Sequence, residues 1–239
     1  MEGKNFGDAL NSTLYKFISG TDSVHHKMGY TGEAYMMIGS ILNQAKAKTI
    51  VWGSGIAQTH GDIGLKCDIR AVRGPLSKYF ADLNGIECPE VYGDPVLLMP
   101  RYYNPDVTKK YKLGIIPHVL DYGYVSITGD DITVIDLLQS YDEVIKQIKS
   151  CDKVISSSLH GLIAADAYGI PSKWVEFGDR VIGGGLKFQD YYQSIGYMDE
   201  TPLDFRNNDV SIKNTLTAIV KHDIQLDIDM LYDACPFKK

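Results

Sequence analysis

The chain has 239 residues, 44% hydrophobic and 23% charged, which fits one large or two small globular domains and excludes a disordered or low-complexity protein. Lys and Arg number 24 against 30 Asp and Glu, a formal charge of −6, and no basic stripe is present that could neutralise a phosphate backbone, so nucleic acid is not an expected partner. Cys67, Cys88, Cys151 and Cys235 are widely spaced without a C-x-x-C pair, a pattern that suits reduced, mostly buried thiols in a cytoplasmic protein.

The first residues contain no apolar leader segment, and no later stretch approaches the roughly 20 apolar residues of a membrane span. A soluble, cytoplasmic protein without a membrane span is expected, with peripheral association left open. In chain order, helical spacing predicts a first helix over Asp8–Ile18, then strands over Thr49–Trp52 and Ile69–Val72. A helix follows over Pro75–Asn84, with Pro75 in a first turn that tolerates a missing N–H and Gly85 at its left-handed end. Gly93-Asp94-Pro95 reads as a tight turn before a strand-like apolar run, Val96–Met99.

The polar stretch Pro100–Lys110 interrupts the alternation and predicts a boundary between an N-terminal lobe, 1–105, and a C-terminal lobe, 106–239. Beyond it, strands are predicted over Lys112–Ile116, Tyr124–Ile127, Thr133–Ile135, Lys153–Ser156 and Lys173–Glu176. Helices are predicted over Ser140–Ser150, His160–Tyr168, Phe188–Ile195 and Asp209–Lys221. Alternating strands and helices imply an α/β protein of two Rossmann-like lobes with an inter-lobe cleft, and ligands at the carboxyl ends of parallel strands. Gly183-Gly184-Gly185 is expected to be a mobile loop beside that cleft.

The chemistry-bearing stretch is Val154–Pro171, where Ser156, Ser157 and Ser158 end a buried strand and His160 enters the first turn of a helix. Unpaired N–H groups and the positive end of the helix dipole make that junction suited to a phosphate or carboxylate. The plain alternative is an N-cap serine beside a satisfied histidine. His25, His26, His60 and His222 have no comparable placement and are expected at the surface. There is no His-x-x-x-His and no Asp-x-Asp near a glycosyltransferase-like acceptor strand, and Asp130-Asp131 falls in an expected turn, so no metal site is expected.

Four segments stand together in order: Asn5–Asn11, Val51–Ile56, Val72–Ser77 with Gly93–Pro95, and Ser156–Gly161. They resemble the polysaccharide pyruvyl transferase family, and Gly114–His118 adds a likeness to the subgroup that includes succinoglycan ketal pyruvyltransferases. The resemblance covers nearly the whole chain. It implies a glycosyltransferase-B-like fold and transfer of the enolpyruvyl unit of phosphoenolpyruvate to two hydroxyls of one sugar. The product is a pyruvate ketal on an exopolysaccharide, capsule or cell-wall glycan, the acceptor being a glycan or lipid-linked oligosaccharide. Phosphoenolpyruvate is then a co-substrate, and no cofactor is implied.

On that resemblance Arg73 is expected to hold donor carboxylate or phosphate through its planar fork, with an ion pair inside its own lobe as the alternative. His160 is expected to be the acid–base group, because the donor methylene must gain a proton and the attacking hydroxyl must lose one. Ser156, Ser157, Ser158, Gly161 and His118 complete the expected donor site. Asn5, Asp8, Gly53, Ser54, Gly55 and Asp94 are expected to support it or meet the acceptor, with helix capping as the alternative for Asp8 and a self-bonded turn for Asp94.

Two features depart from the family pattern. Ser158 stands where many members have arginine before Leu-His, and only Met1–Lys4 precede Asn5, which predicts a trimmed first lobe. A nucleotide-sugar glycosyltransferase of the same fold and a non-catalytic glycan-binding relative are the competing classes.

Overall fold

A computed structural model describes residues 5–26, 30–59, 67–206 and 212–239. His60 and the first three residues of the helix expected over 209–221 lie outside the described residues. Contacts divide the chain into two units, each discontinuous in sequence. One joins residues 1–9, 99–182 and 201–223; the other joins 10–98, 183–200 and 224–239. Each unit is thus assembled from three stretches of the chain.

The larger sheet lies in the first of these units. Its strands are β4 (Tyr111–Ile116), β5 (Ile132–Val134), β6 (Cys151–Ser156), β7 (Ser172–Glu176) and β8 (Leu203–Asp204), parallel and in the order β5-β4-β6-β7-β8. Ile115 pairs with Ile155, and Ile116 with Ser156, so β4 and β6 end side by side. Near-continuous apolar runs suit strands covered on both faces, and Leu113, Ile115, Ile155, Val175 and Phe177 form a core cluster with Phe205 and Ile219. Helices α3 (Tyr141–Lys149) and α4 (Leu159–Ala167) precede and follow β6. In α3, Val144, Ile145 and Ile148 are buried, while Asp142 and Glu143 at its start and Lys146 and Lys149 at its end complement the helix dipole. A short helix, α6 (Ile212–Ala218), is the described part of the late helix.

The other unit is built on a three-stranded parallel sheet, β1 (Ala34–Met36), β2 (Thr49–Trp52) and β3 (Asp68–Ala71), in that spatial order. Val51, Ile69, Val72, Phe80 and Ala81 pack in its core with Leu42 and Ile56. Helix α2 (Pro75–Leu83) has Pro75 in its first turn and ends before Gly85 at φ 69°, as the sequence indicated. The unit also contains α5 (Leu186–Ser194) and α7 (Ile228–Asp233), the latter tied in where Trp52 Nε1 donates to Leu231 O at 2.8 Å. Helix α1 (Phe6–Ser19) passes from the first unit to the second between Ala9 and Leu10.

Two strand expectations are corrected. Val96–Met99 lies in a 3-10 helix, Pro95–Arg101, which begins where Asp94 Oδ1 accepts the Val96 N–H at 3.0 Å. A local side-chain bond and a fixed proline φ turn the chain there, and a four-residue apolar run cannot reveal its period. Tyr124–Ile127 forms no strand; Tyr122–Tyr124 is a 3-10 turn, its Tyr124 N–H bonded to Asp121 O at 2.8 Å. Strands β1 and β8 and helix α7 add to the elements expected from the sequence. No helix among the described residues is long and apolar enough to cross a membrane, and the four cysteines are free and buried.

Candidate functional site

The expected site residues fall into two groups, one in each unit. In the five-stranded unit the group gathers at the carboxyl ends of β4 and β6. Ser156 is fully buried, its Oγ lying 2.8 Å from Ile116 O and 2.9 Å from Ser158 O while accepting the Ser158 N–H at 3.0 Å. It clasps the two strand ends and bends the chain into α4. A Cβ on Gly161 would stand 2.6 Å from Ser156 Oγ and 2.7 Å from Ile116 Cγ2, so glycine is needed where the first helical turn crosses that clasp. Ser157, also buried, accepts the His118 N–H at 2.9 Å and so holds the backbone after β4. Ser158 takes the N-cap position in an extended conformation without a side-chain cap.

His118 is half-buried, and its Nδ1 accepts the Leu120 N–H at 3.2 Å. With that lone pair engaged, the neutral ring carries its proton on Nε2, which makes Nε2–H a donor. His160 is half-buried on α4, and its ring lies against Gly7 at the start of α1. A Cβ there would come within 2.2 Å of His160 Nδ1 and 2.8 Å of its Cγ. The Asn5–Asn11 and Ser156–Gly161 segments therefore meet, through a residue without a side chain. Phe6 N–H donates to Leu137 O at 2.9 Å and Ala9 N–H to Asn5 O at 2.9 Å, which fixes this helix start. Asn5 Oδ1 is enclosed with no hydrogen-bond partner among the described residues, while Asp8 in the first turn is exposed.

The second group surrounds Arg73 in the three-stranded unit. Arg73 is 0% exposed. Its Nε donates to Asp190 Oδ2 at 3.0 Å, Nη1 to Ser40 Oγ at 2.7 Å and Nη2 to Ile56 O at 2.6 Å, with Nη2 also 2.9 Å from Asp190 Oδ2. Asp190, also 0% exposed, accepts the Ser77 N–H at 2.9 Å and the Ser77 hydroxyl at 2.6 Å. Ser77 Oγ in turn accepts the Ile56 N–H at 3.0 Å. This is the ion pair within one lobe, desolvated and hydrogen-bonded throughout, as a buried charge requires.

Glycines again mark the close approaches. A Cβ on Gly55 would lie 2.4 Å from Arg73 Cζ, and one on Gly53 2.2 Å from Pro95 Cδ. Ser54 is buried and donates to Gly39 O at 2.9 Å. Asp94 is buried with Oδ1 on Val96 N, the self-bonded turn.

Other residues of these groups carry no local sequence signal. Asp190 is 117 positions from Arg73, and no local pattern pairs them. Arg180 follows β7 in the five-stranded unit and lies over the Tyr124 ring, 5.2 Å from its centroid. Gly178 sits nearby, where a Cβ would be 3.4 Å from Asp121 Oδ1 and from the Tyr124 ring. His222, expected at the surface, is 4% exposed, with Nδ1 3.0 Å from Asp166 Oδ1, whereas His25 and His26 are exposed.

Two parallel sheets, of three and five strands, with covering helices define an α/β protein. Residues 5–176 match the sequence model of the polysaccharide pyruvyl transferase family, and the chain belongs to it. The uncharacterized protein L143 of Acanthamoeba polyphaga mimivirus is 32% identical over 177 residues, 68% of this chain and 60% of that protein. The succinoglycan biosynthesis protein ExoV of Rhizobium meliloti (strain 1021) is 27% identical over 229 residues, 91% of this chain and 68% of that protein. No solved structure matches the chain.

Proposed function

We propose that the chain is a ketal pyruvyl transferase that uses phosphoenolpyruvate and a glycan acceptor. The observation that carries this reading is the junction of β6 and α4, where His160, packed on Gly7, stands at a helix start while His118 is held by Ser157 after the neighbouring strand. The family membership supplies the reaction class, and the succinoglycan relative points to an exopolysaccharide acceptor.

In this reading a proton adds to the donor methylene, and one sugar hydroxyl forms a C–O bond at the adjacent carbon. The bond from that carbon to the phosphate oxygen then breaks, and the second hydroxyl closes the ketal. One hydroxyl proton balances the new methyl group and the other leaves with phosphate. His160 is the group that exchanges these protons as general acid and base. His118 Nε2–H and the N–H groups at the start of α4 face the donor's phosphate or carboxylate. Arg180, which follows β7 and lies over the Tyr124 ring, is the candidate for the donor's counter-charge, since Ser158 stands where many members carry arginine. Arg73 enters as the holder of Ser40, Ile56 and Asp190 rather than as a group that touches the donor, because each of its nitrogens is bonded within the protein.

The test is phosphate release from phosphoenolpyruvate in the presence of glucose-, galactose- and mannosamine-containing oligosaccharides, with mass detection of the sugar-bound pyruvate. Acceptor-dependent release is expected, and His160→Gln should keep the fold and donor affinity while turnover falls by about a hundredfold or more. Absence of turnover on every acceptor, with no thermal protection by millimolar phosphoenolpyruvate, would overturn the reading.

A further inference from the structure

The three-stranded unit contains a groove of about 710 Å³ outside the groups described above, lined by Gln58, Thr59, Leu76, Leu186, Gln189 and Gln193 with the bare backbone of Gly183 and Gly184. Leu186, Gln189 and Gln193 are spaced i, i+3 and i+7 along α5 and so share one helix face. Leu76 belongs to the first turn of α2. The volume lies in the range of small-molecule sites.

The walls are fixed by contacts that leave the lining side chains available. Leu76 and Gln189 are the chain neighbours of Ser77 and Asp190, so the buried Arg73–Asp190–Ser77 network clamps α2 against α5 directly behind the groove. Gly183, at φ 104°, approaches Ala57 so closely that a Cβ would lie 2.0 Å from Ala57 O, which sets the separation of the loop carrying Gln58 from the start of α5. Gln189 is anchored by donating to Glu200 O. Among the described residues, the side chains of Gln58 and Gln193 form no hydrogen bond within the protein.

The lining chemistry narrows the ligand. Primary amides donate and accept together, as do sugar hydroxyls, and two leucines provide apolar patches for C–H faces. No ionisable side chain lines the groove among the described residues, so an anion there has no counter-charge in the lining. Among the described residues the lining likewise offers no aromatic ring on which a nucleobase could stack. We infer that this groove binds an uncharged stretch of oligosaccharide, and that in the transferase this stretch belongs to the acceptor chain. Its assignment to the acceptor rests on the pyruvyl-transfer reading; the saccharide binding does not.

The experiment uses the full chain labelled with ¹⁵N on glutamine side chains, titrated with neutral gluco- and galacto-oligosaccharides. Saturable shifts of the Gln58, Gln189 and Gln193 amide signals are expected from at least one series. A folded Gln58→Leu/Gln193→Leu variant should bind that sugar at least about tenfold more weakly while phosphoenolpyruvate still raises its melting temperature as in the wild type. Unchanged sugar affinity in that variant overturns the inference, as does the absence of saturation in the wild type up to ~20 mM of every sugar. Donor protection and phosphate release, measured on the same preparation, report on pyruvyl transfer independently. A failed groove and a failed activity are thereby told apart.

Discussion

The two groups of motif residues are assembled by the same device and left in opposite states. In each, a glycine admits a functional side chain where any Cβ would collide: Gly7 beneath His160 in one unit, Gly55 beneath Arg73 in the other. The histidine side remains half-buried at the end of a parallel sheet, whereas the arginine is enclosed with its nitrogens committed to Asp190, Ser40 and Ile56. A proton-transfer group must reach its ligand; a clamp need only hold its neighbours. Residue type and strand-end placement alone do not foretell this difference: Arg73 is enclosed as a whole, while His160 is half-buried with its Nε2 atom enclosed.

The largest effect that could break this contrast is on the clamp. Asp190→Ala leaves a buried guanidinium and the Ser77 N–H without their acceptor, for an expected loss of about 3–5 kcal/mol in denaturant unfolding. Joint replacement, Arg73→Met with Asp190→Leu, should recover a substantial part, since an apolar pair of similar size removes the stranded charge. A loss below about 1 kcal/mol for Asp190→Ala would show that the network is dispensable and would reopen Arg73 as a ligand-binding group.

A smaller effect probes the histidine side. Alanine is ordinarily preferred to glycine within a helix by about 1 kcal/mol, yet Gly7→Ala places a methyl group inside the His160 ring. We expect a net cost of about 1–3 kcal/mol from overpacking and a turnover loss of about tenfold or more as the ring is displaced. Gly123→Ala is the control, because a Cβ there meets nothing within 4 Å. Stabilisation by Gly7→Ala would mean that His160 is not seated on Gly7.

These particulars explain what was legible in the sequence. Thr49–Trp52, Tyr111–Ile116 and Cys151–Ser156 are apolar runs between turn residues, and each is a strand. Strand β1 was hidden because its three residues show no buried side chain and follow a polar stretch. Val96–Met99 misled because a short apolar run is compatible with either period and the Asp94 turn decides. The motif glycines were visible as letters, but the side chains they accommodate were not: Gly7 lies far in sequence from His160, and Arg73 far from Asp190. Asp190 lies beyond residues 5–176, the stretch that matches the family. Long-range pairs of this kind leave no local period to read.

The smallest expected effect extends the contrast to a third kind of charge. Arg206 binds Asp204 through Nε–Oδ1 and Nη2–Oδ2 contacts of 2.8 and 2.7 Å and also reaches Asp179 and Glu176, all toward solvent. Those charge-assisted bonds hold the Asp204 carboxyl down to about 2, well below the usual carboxylate range. A carboxyl whose value is depressed by folding contributes stability above its unfolded value and loses it as the pH falls through the folded one. The contribution of Asp204 is therefore complete above about pH 4 and fades toward about pH 2. Carboxyl-carbon NMR should place its titration near pH 2, and Asp204→Asn should flatten the acid limb of unfolding over that window without altering stability at neutral pH as strongly as Asp190→Ala does. Because the cluster is exposed, added salt should raise the Asp204 midpoint toward the ordinary value, while the enclosed Arg73–Asp190 pair is screened much less. A midpoint already at the ordinary carboxylate value in low salt would show that Arg206 does not hold Asp204 in solution.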